Sequence, residues 1–173
     1  MSLQNVQSKP DLKYTICFIL REDKVLMLYR SREPNKNRWN GVGGKIESGE
    51  TPLASMQREI HEEVGVNIPA SKLHFGGTVI WEIPNKPTTG MYTFIVHIKE
   101  KLFKESKNTP EGLLQWKELS WVLDRKNDNE VTNIPYFLRP MLKNQTPMEY
   151  IFTYDQERHI QNFTTQTLRA PNN

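Results

Sequence analysis

The sequence has a single cysteine, Cys17, within an apolar run that is typical of a buried strand. One thiol cannot form an intramolecular disulfide, so a reducing compartment is expected and Cys17 is interpreted as a small core residue. The longest apolar run, residues 16–20, is far shorter than the roughly 20 residues that span a membrane. The residues up to Lys13 are mostly polar and carry no signal-peptide pattern. These absences predict a cytoplasmic protein without a membrane partner.

Long runs of charge of one sign are also absent, and the formal net charge is only +3. Because nucleic-acid-binding domains usually cluster their basic residues on one face, no DNA partner is expected. The mild positive charge suits a polyanionic small molecule. The length of 173 residues, without an internal repeat or a long linker, fits one domain. We predict a mobile tail over residues 1–11 and one domain over residues 12–170, and the oligomeric state stays open.

Hydrophobic patterning predicts a strand-rich fold around one strong helix. Residues 31–38 form a polar loop, and residues 39–50, with four glycines, are predicted to lack regular structure. A shorter helix is predicted over residues 136–143, although Pro140 opposes it. The predicted strands are 14–20 and 25–29, which form a hairpin, and then 75–83, 91–98, 114–122, 148–154 and 163–168. This pattern predicts an α/β sandwich built on a mixed sheet.

The strongest helix is predicted between residues 51 and 65. Thr51 can cap it, Pro52 suits its first position and Gly65 can end it. Apolar residues recur at helical spacing and form one buried stripe, which consists of Leu53, Met56, Ile60 and Val64. The acidic residues of this helix flank that stripe and can therefore reach the rim of a cleft.

Glu59, Glu62 and Glu63 share one face of this helix, because they are spaced at i, i+3 and i+4. Glu59 and Glu63 repel each other at a cost of ~0.2–0.5 kcal/mol, and the negative end of the helix dipole adds to the strain. A hard cation would relieve it, and Mg²⁺, with Mn²⁺ as a substitute, prefers such oxygen ligands. From these residues alone, a solvated acidic face is the alternative. His61 is interpreted as an exposed helix residue.

The surroundings of these glutamates form one long, spaced pattern. Its members, in chain order, are Gly44, Glu50, Arg58, Glu59, Ile60, Glu62, Glu63, Gly65 and Val66. Every specified position of the Nudix box is present, so the chain resembles the Nudix hydrolases. The resemblance implies the Nudix fold, an α/β/α sandwich with a mixed β-sheet, and hydrolysis of a diphosphate linkage in a nucleotide.

The resemblance also implies roles for the residues of the box. The three glutamates, Glu59, Glu62 and Glu63, would hold magnesium, which neutralises phosphates and orients water. Arg58 would hold a carboxylate in place through a charge-assisted fork with Glu50, a role compatible with an ordinary ion pair. Since clustered carboxylates titrate together, the general base is not assigned to one of them.

A closer resemblance covers residues 38–45 and the strand at Tyr14 and Thr15. It is to the MutT-type oxidised-purine nucleoside triphosphatases, and it implies that the substrate is bound by Thr15, Asn40, Gly43 and Gly44. The amide of Asn40 can present a donor and an acceptor to a purine, or it can simply stabilise the turn. Gly43 and Gly44 would let the backbone approach the phosphates closely.

Other positions are candidates by the same resemblance. Glu111, five residues before Trp116, is an additional metal ligand or a loop glutamate in water. The 31–38 loop and Phe18 are candidates to line the pocket. The tryptophans at 39, 81 and 116 are candidates to stack on a base, or they belong to the core.

One departure concerns the base. Animal enzymes of this type have two adjacent aspartates in a later loop that read the modified base, and residues 128–135 contain no such pair. Asp128, Glu130 and Asn133 are the alternatives for that role. Recognition of an oxidised purine therefore stays open, whereas hydrolysis does not depend on these residues.

We predict magnesium-dependent hydrolysis of a nucleoside triphosphate to the monophosphate and pyrophosphate, with 8-oxo-dGTP as the favoured substrate. The alternatives within the same chemistry are a dinucleoside polyphosphate, a nucleotide sugar and a capped RNA end. A longer substrate would need an extra basic groove, which the sequence does not clearly show. A non-catalytic nucleotide sensor is the alternative from another class, and the complete carboxylate set argues against it.

Overall fold

The computed structural model describes residues 10–100, 102, 105–128, 132–144 and 146–168. Its strands are β1 (Asp11–Arg21), β2 (Lys24–Arg30), β3 (Trp39–Asn40), β4 (Val42–Lys45), β5 (His74–Glu82), β6 (Thr89–His97), β7 (Ser106–Thr109), β8 (Gly112–Glu118), β9 (Met148–Tyr154) and β10 (Ile160–Thr167). Its α-helices are α1 (Pro52–Val64), α2 (Leu119–Val122) and α3 (Ile134–Lys143), and a 3₁₀ turn covers Ala70–Lys72.

The strands form one ten-stranded sheet whose main path is β10-β9-β5-β6-β1-β2-β8-β7. The short strands β3 and β4 lie off this path and pair with β2 and β1 respectively. Strand β1 is antiparallel to β2 and β4 but parallel to β6, and β5 is parallel to β9. The predicted mixed sheet is therefore confirmed, as is the β1–β2 hairpin.

Helices cover both faces of the sheet, each over its own apolar cluster. Adjacent residues of β1 point to opposite faces: Phe18 packs in the cluster that contains Phe137 of α3, and Cys17 packs in the cluster that contains Ile60 of α1. This arrangement confirms the α/β/α sandwich. Cys17 is completely buried, and burial raises the pKa of its thiol, so the interpretation as a core residue is also confirmed.

Several predicted boundaries were wrong. Residues 39–50 do contain regular structure, β3 and β4, because the glycines allow β4 to lie against β1. The predicted strand 114–122 ends at Glu118, after which the chain turns into α2. Strand β7 was not predicted, since its polar sequence has no apolar alternation. Strand β1 begins at Asp11, inside the predicted tail, while residues 1–9, 169 and 170 lie outside the described part.

Candidate active site

Strand β4 brings the glycine-rich segment against the catalytic candidates. It pairs with β1, so that Gly43 lies opposite Ile16 and Gly44 opposite Thr15. A Cβ atom on Gly44 would lie only 2.4 Å from Oε1 of Glu59. The carboxylate of Glu59 therefore rests directly on the backbone of β4, in a space that any larger side chain at this position would fill.

Helix α1 is defined by the signals that predict it. The Thr51 side chain accepts a hydrogen bond from the N–H of Ala54, Pro52 begins the helix, and Gly65 ends it in the left-handed conformation. Met56, Ile60 and Val64 of the predicted stripe are buried, and Leu53 is partly buried against the same cluster. Burial of this stripe fixes the rotation of the helix and turns its glutamates towards β4.

Arg58 is the centre of a hydrogen-bond network. Its Nε and Nη2 atoms donate to the two carboxylate oxygens of Glu50 at 2.7 and 2.9 Å, which is the two-pronged geometry of a strong ion pair. Its Nη1 donates to Glu59 at 2.8 Å and to Glu62 at 3.3 Å. Nη2 also donates to the Lys45 carbonyl at 3.1 Å. One guanidinium thus ties the glycine-rich segment to the acidic face of α1.

The pKa values of the carboxyls around Arg58 shift in opposite directions, although Arg58 itself lowers both. Its hydrogen bonds, with the backbone N–H of Glu47, lower the pKa of Glu50 to about 2. Burial raises the pKa of Glu59 although Arg58 acts against this, and the charges of Glu62 and Glu50 raise it further. Glu50 is therefore a permanent anion that fixes Arg58, whereas Glu59 is a desolvated carboxyl that a cation would stabilise.

Glu63 is the most deeply buried of the three glutamates, with an exposed fraction of 5%. Its Oε2 accepts one hydrogen bond, from the N–H of Gly43 at 3.2 Å. Burial raises the pKa of Glu63 to about 8; the charges of Glu59 and Glu111 also raise it, and the Gly43 hydrogen bond and the charge of Arg30 lower it. A buried carboxyl beside a second one needs a proton or a cation.

Glu111 lies in the turn between β7 and β8 and is held by two arginines. Its carboxylate is 3.8 Å from Arg30 and 3.6 Å from Arg32. Its backbone carbonyl accepts hydrogen bonds from the N–H and the hydroxyl of Ser31 at 2.9 and 3.0 Å. Glu111 is thus close enough to Glu63 to affect its pKa, but ion pairs occupy its carboxylate in this conformation.

The donor set fits a hard divalent metal. Carboxylate oxygens of Glu59 and Glu63 and the exposed carboxylate of Glu62 are the ligands that Mg²⁺ or Mn²⁺ takes. Among the described residues Glu63 has no ion-pair partner, and Glu59 shares the Arg58 guanidinium with Glu50 and Glu62. Within the described ranges, however, no three acidic, histidine or cysteine side chains already converge on one point, because Arg58 holds Glu59 and Glu62. Metal binding would require small rotations of these side chains.

The predicted substrate-binding residues are in different environments. Asn40 accepts a hydrogen bond from the N–H of Gly41 at 3.0 Å through its side-chain oxygen, as in the turn-stabilising alternative. The hydroxyl of Thr15 is buried and has no hydrogen-bond partner among the described residues. Phe18 is completely buried between the sheet and α3, so it presents no surface to a ligand here and the pocket-lining prediction is wrong in this conformation.

The three tryptophans named for base stacking all have protein neighbours. Trp39 is mostly buried, and the Nζ atom of Lys117 lies 4.0 Å from its ring centroid. Trp81 lies 6.2 Å from the ring of Tyr14. Trp116 lies under the guanidinium of Arg21 at 5.1 Å. Trp39 is therefore a core residue, whereas Trp81 and Trp116 are both partly buried and pack against the edges of the two apolar clusters.

Of the alternatives for reading a base, Asn133 is buried at the start of α3, where its Nδ2 donates to the hydroxyl of Tyr154 at 3.2 Å. The Asp128 carbonyl accepts a hydrogen bond from Arg38 at 2.8 Å. Glu130 lies outside the described residues. The roles of these residues stay predictions.

The sequence patterns did not predict that Arg30, Lys107 and Ser55 contribute to the site. Arg30 acts on Glu63 only because β2 pairs with β8 and places it beside Glu111. Lys107 donates to the Val64 carbonyl at 2.8 Å and so satisfies the last turn of α1. Ser55 is buried and accepts from Arg58 at 3.4 Å. Of these three residues, only Ser55 could have been found from the local sequence, because it lies beside the apolar stripe of α1.

The Nudix domain model matches residues 12–145, which is most of the chain. The chain belongs to the Nudix family. Nudix hydrolases act on small nucleotide substrates and generally need a divalent metal, so this Nudix protein is an enzyme, a nucleotide pyrophosphohydrolase. Over 151 residues it is 28% identical to YvcI of Bacillus subtilis, an uncharacterised Nudix hydrolase, covering 84% of this chain and 88% of YvcI.

Two further similarities concern a mouse enzyme and a solved bacterial structure. This Nudix enzyme is 35% identical to the oxidised purine nucleoside triphosphate hydrolase of Mus musculus over 74 residues, which is 43% of this chain and 46% of the mouse enzyme. The crystal structure of a MutT protein from Bacillus halodurans superposes with a TM-score of 0.71 at 24% identity, covering 88% and 95% of the two chains. The second similarity confirms the fold. None of the described helices has the length and apolar character needed to cross a membrane.

The raised pKa of Glu63 predicts a pH-dependent stability when divalent metal is removed with EDTA. A carboxyl whose pKa rises on folding from 4.5 to about 8 keeps its proton in the folded state after the unfolded chain has lost it. The resulting stabilisation is complete below the lower value and is lost as the pH rises through the upper one. Urea unfolding at several pH values should therefore show a falling free energy of unfolding over this window. The slope should be much smaller in Glu63→Gln, and an equal slope in both proteins would contradict the assignment.

Gly44→Ala is expected to impair metal binding more than folding. The added Cβ would lie 2.4 Å from Oε1 of Glu59, which is a side-chain atom that can rotate away but then leaves its place in the acidic cluster. We expect the magnesium concentration for half-maximal activity to rise by at least about tenfold, equivalent to about 1.4 kcal/mol. The melting temperature in EDTA should change little. Ser48→Ala is the control, because Ser48 is an exposed residue of the same segment.

Proposed function

We propose that this Nudix enzyme hydrolyses a nucleoside triphosphate to the monophosphate and pyrophosphate with Mg²⁺, and that 8-oxo-dGTP is the favoured substrate. The observation that carries the proposal is the acidic cluster on α1. Two desolvated carboxyls, Glu59 and Glu63, lie against the glycine backbone of β4, and the one guanidinium that pairs with Glu59 is shared with Glu50 and Glu62. This is the charge pattern that phosphoryl transfer uses to hold a metal beside phosphate oxygens.

The roles assigned to the residues follow from this arrangement. Glu59, Glu62 and Glu63 hold the metal, with Glu111 as an additional ligand once it is released from its arginines. When bound, the metal neutralises phosphate charge and lowers the pKa of the attacking water. Arg58, fixed by Glu50, keeps Glu59 and Glu62 at the edge of β4. The N–H of Gly43 keeps Glu63 oriented, and one carboxylate of the cluster takes the proton from water.

The base preference is supported by the similarity to the mouse oxidised purine nucleoside triphosphate hydrolase. That similarity covers less than half of either chain. In the proposed mode of binding, Asn40 contacts the purine after giving up its hydrogen bond to Gly41. The Thr15 hydroxyl, which lacks a partner among the described residues, bonds the nucleotide.

A magnesium-dependent assay of pyrophosphate and phosphate release on a substrate panel tests this proposal. The panel contains 8-oxo-dGTP, the normal nucleoside triphosphates, a nucleotide sugar, a dinucleoside polyphosphate and capped RNA. Preference for 8-oxo-dGTP with pyrophosphate as the product is the expected result, and Asn40→Ala should then reduce that preference. A preference for another compound would reject the purine assignment and leave the hydrolytic mechanism in place.

A further inference from the structure

The main path of the sheet ends at two edge strands, β10 on one side and β7 on the other. In the part of the chain that the structure describes, β10 pairs only with β9, so the N–H and C=O groups on its outer side have no strand to bond. Strand β10 is eight residues long, and its pairing with β9 is regular from Asn162 to Thr167, beyond an irregularity at residues 160–162. An open edge of this length can take another strand.

The sequence of β10 has few of the features that protect an open edge. It contains no proline and no charged residue, and three of its eight residues are threonine. The other edge strand, β7, has only four residues and includes Lys107, whose Nζ donates to the Val64 carbonyl at 2.8 Å. Because short or charged edge strands resist pairing with another chain, β10 is the edge that suits a strand partner.

The lack of charge on β10 suits a second copy of the same strand. Two identical strands that pair across a two-fold axis bring identical charges together, so a charged strand would repel its own copy. The carboxylate of Glu149, on the neighbouring strand β9, is 6% exposed and accepts a hydrogen bond from Gln166. It therefore presents little charge to a second copy, while Thr164, Thr165 and Thr167 are exposed and can form cross-strand threonine pairs.

Apolar side chains extend to this edge on the face of the sheet that α3 covers. The ring of Phe163 lies 4.7 Å from that of Phe152 and 5.8 Å from that of Tyr136. Phe163 and Ile160, both in β10, are only partly buried against the apolar cluster. A second copy placed along β10 would cover these side chains and would add apolar burial to the backbone hydrogen bonds.

Pairing of β10 with β10 gives a closed assembly. Pairing of β10 with β7 of the next copy would instead be head-to-tail and would lead to an open chain of molecules, and the short, charged β7 disfavours it. Strands β9, β5 and β6 lie between β10 and β1, the strand against which β4 and α1 pack. The acidic clusters of both copies would therefore stay open to substrate.

We propose that β10 pairs antiparallel with β10 of a second copy of this chain, so that a two-fold dimer has one continuous sheet. The partner contributes backbone hydrogen bonds, threonine pairs and cover for Phe163. The dimer does not depend on which nucleotide the enzyme hydrolyses, so its test is separate from that of the proposed function.

Disulfide trapping tests the position of the two-fold axis. Cys17, the single native cysteine, is completely buried, so each variant has one accessible thiol. The substitutions place cysteine at exposed positions of β10, in Asn162→Cys, Thr164→Cys, Thr165→Cys and Thr167→Cys. Opposite residues of an antiparallel pair have Cα atoms about 4.5–5.5 Å apart, within the span of a disulfide.

Only residues at the axis lie opposite their own copy, so the yield of cross-linked dimer under mild oxidation should have a single maximum along β10. Ser106→Cys, on the exposed edge strand β7, is the control and should give little dimer. Equal yields at all positions of β10, or yields no higher than that of the control, would overturn the inference.

Sedimentation equilibrium of the unmodified enzyme is the second measurement. We expect a mass of twice 20.3 kDa that falls to that of one chain on dilution. The double variant Thr164→Lys, Thr165→Lys should raise the dissociation constant at least about tenfold, because like charges would then lie beside each other. Its kcat should not change, since these residues lie far from the acidic cluster, and this readout shows that the variant folds.

Ser106→Lys with Asn108→Lys is the charge-matched control, because it places the same two charges on β7. It should dimerise like the wild type. A wild-type mass of one chain at every concentration would overturn the inference and leave β10 as an edge for a different protein. An equal loss of dimer in both double variants would also overturn it, since the effect would then come from net charge and not from β10.

Discussion

Glu63→Gln is expected to lower kcat by roughly 10²–10⁴-fold, the range for losing a group that handles protons or charge at the reacting centre. Glutamine keeps the shape of the side chain and can still accept the N–H of Gly43, which lies 3.2 Å from the carboxylate. It cannot carry the negative charge that a divalent metal requires. A loss of activity would therefore be due to the missing negative charge and not to a cavity.

The same substitution should stabilise the metal-free protein at neutral pH. Glu63 is 5% exposed, and burial together with the charge of Glu59 raises its pKa to about 8. Removing a carboxyl that resists ionisation removes an energetic cost of folding. A melting temperature in EDTA at or above that of the wild type, together with the loss of kcat, is the expected combination.

Glu22→Gln is the matched control for this experiment, since Glu22 is exposed in the β1–β2 turn and lies away from the cluster. It should leave both kcat and the melting temperature unchanged. Retention of wild-type kcat by Glu63→Gln would show that Glu63 is only a buried structural residue. Loss of kcat accompanied by a large drop in melting temperature would instead mean that the carboxylate is needed for folding.

Gly43→Ala is expected to destabilise the fold by about 3 kcal/mol or more, at the upper end of the costs of overpacking. The new Cβ would lie 2.1 Å from the carbonyl oxygen of Thr15 and 2.8 Å from the Cα of Ile16. Both are backbone atoms of β1, a central strand, so no side chain can rotate to make room. Strand β4 would have to move away from the sheet, and the Gly43 N–H that donates to Glu63 would move with it.

Chemical unfolding of Gly43→Ala beside Gly44→Ala tests this prediction, because the two glycines are adjacent but meet different atoms. The Cβ atom added at position 44 would contact the Glu59 side chain, whereas the one added at position 43 would contact backbone atoms of β1. We expect a large fall in the free energy of unfolding for Gly43→Ala alone. Similar stabilities for the two variants would show that β4 does not lie as close to β1 as the structure places it.

The helix and the acidic face could be predicted because their signals are local. The cap at Thr51, the stop at Gly65 and the apolar stripe all lie within one segment and specify its rotation. Glu59, Glu62 and Glu63 then share a face by spacing alone. The partnership of Arg58 and Glu50 was likewise predicted, and the structure places them in a two-pronged contact.

Features that depend on pairing of distant strands could not be predicted in the same way. The segment around Gly43 has too much glycine for a strand signal, yet β1 supplies the partner that makes β4 regular. Arg30 approaches Glu111 only through the register of β2 with β8. Residues 29–37 and 108–113 likewise meet only through this strand pairing, so the sequence alone does not show that they line one groove.

Hydrolysis in ¹⁸O-labelled water during a magnesium titration tests the central claim most directly, with nucleotide products read by mass spectrometry. We expect turnover that saturates with Mg²⁺, vanishes in EDTA and places one labelled oxygen in one of the two phosphate products. The labelled product also identifies the phosphorus that is attacked. Turnover that persists in EDTA, or tight nucleotide binding without any labelled product across the panel, would contradict a metal-dependent hydrolase built on Glu59, Glu62 and Glu63.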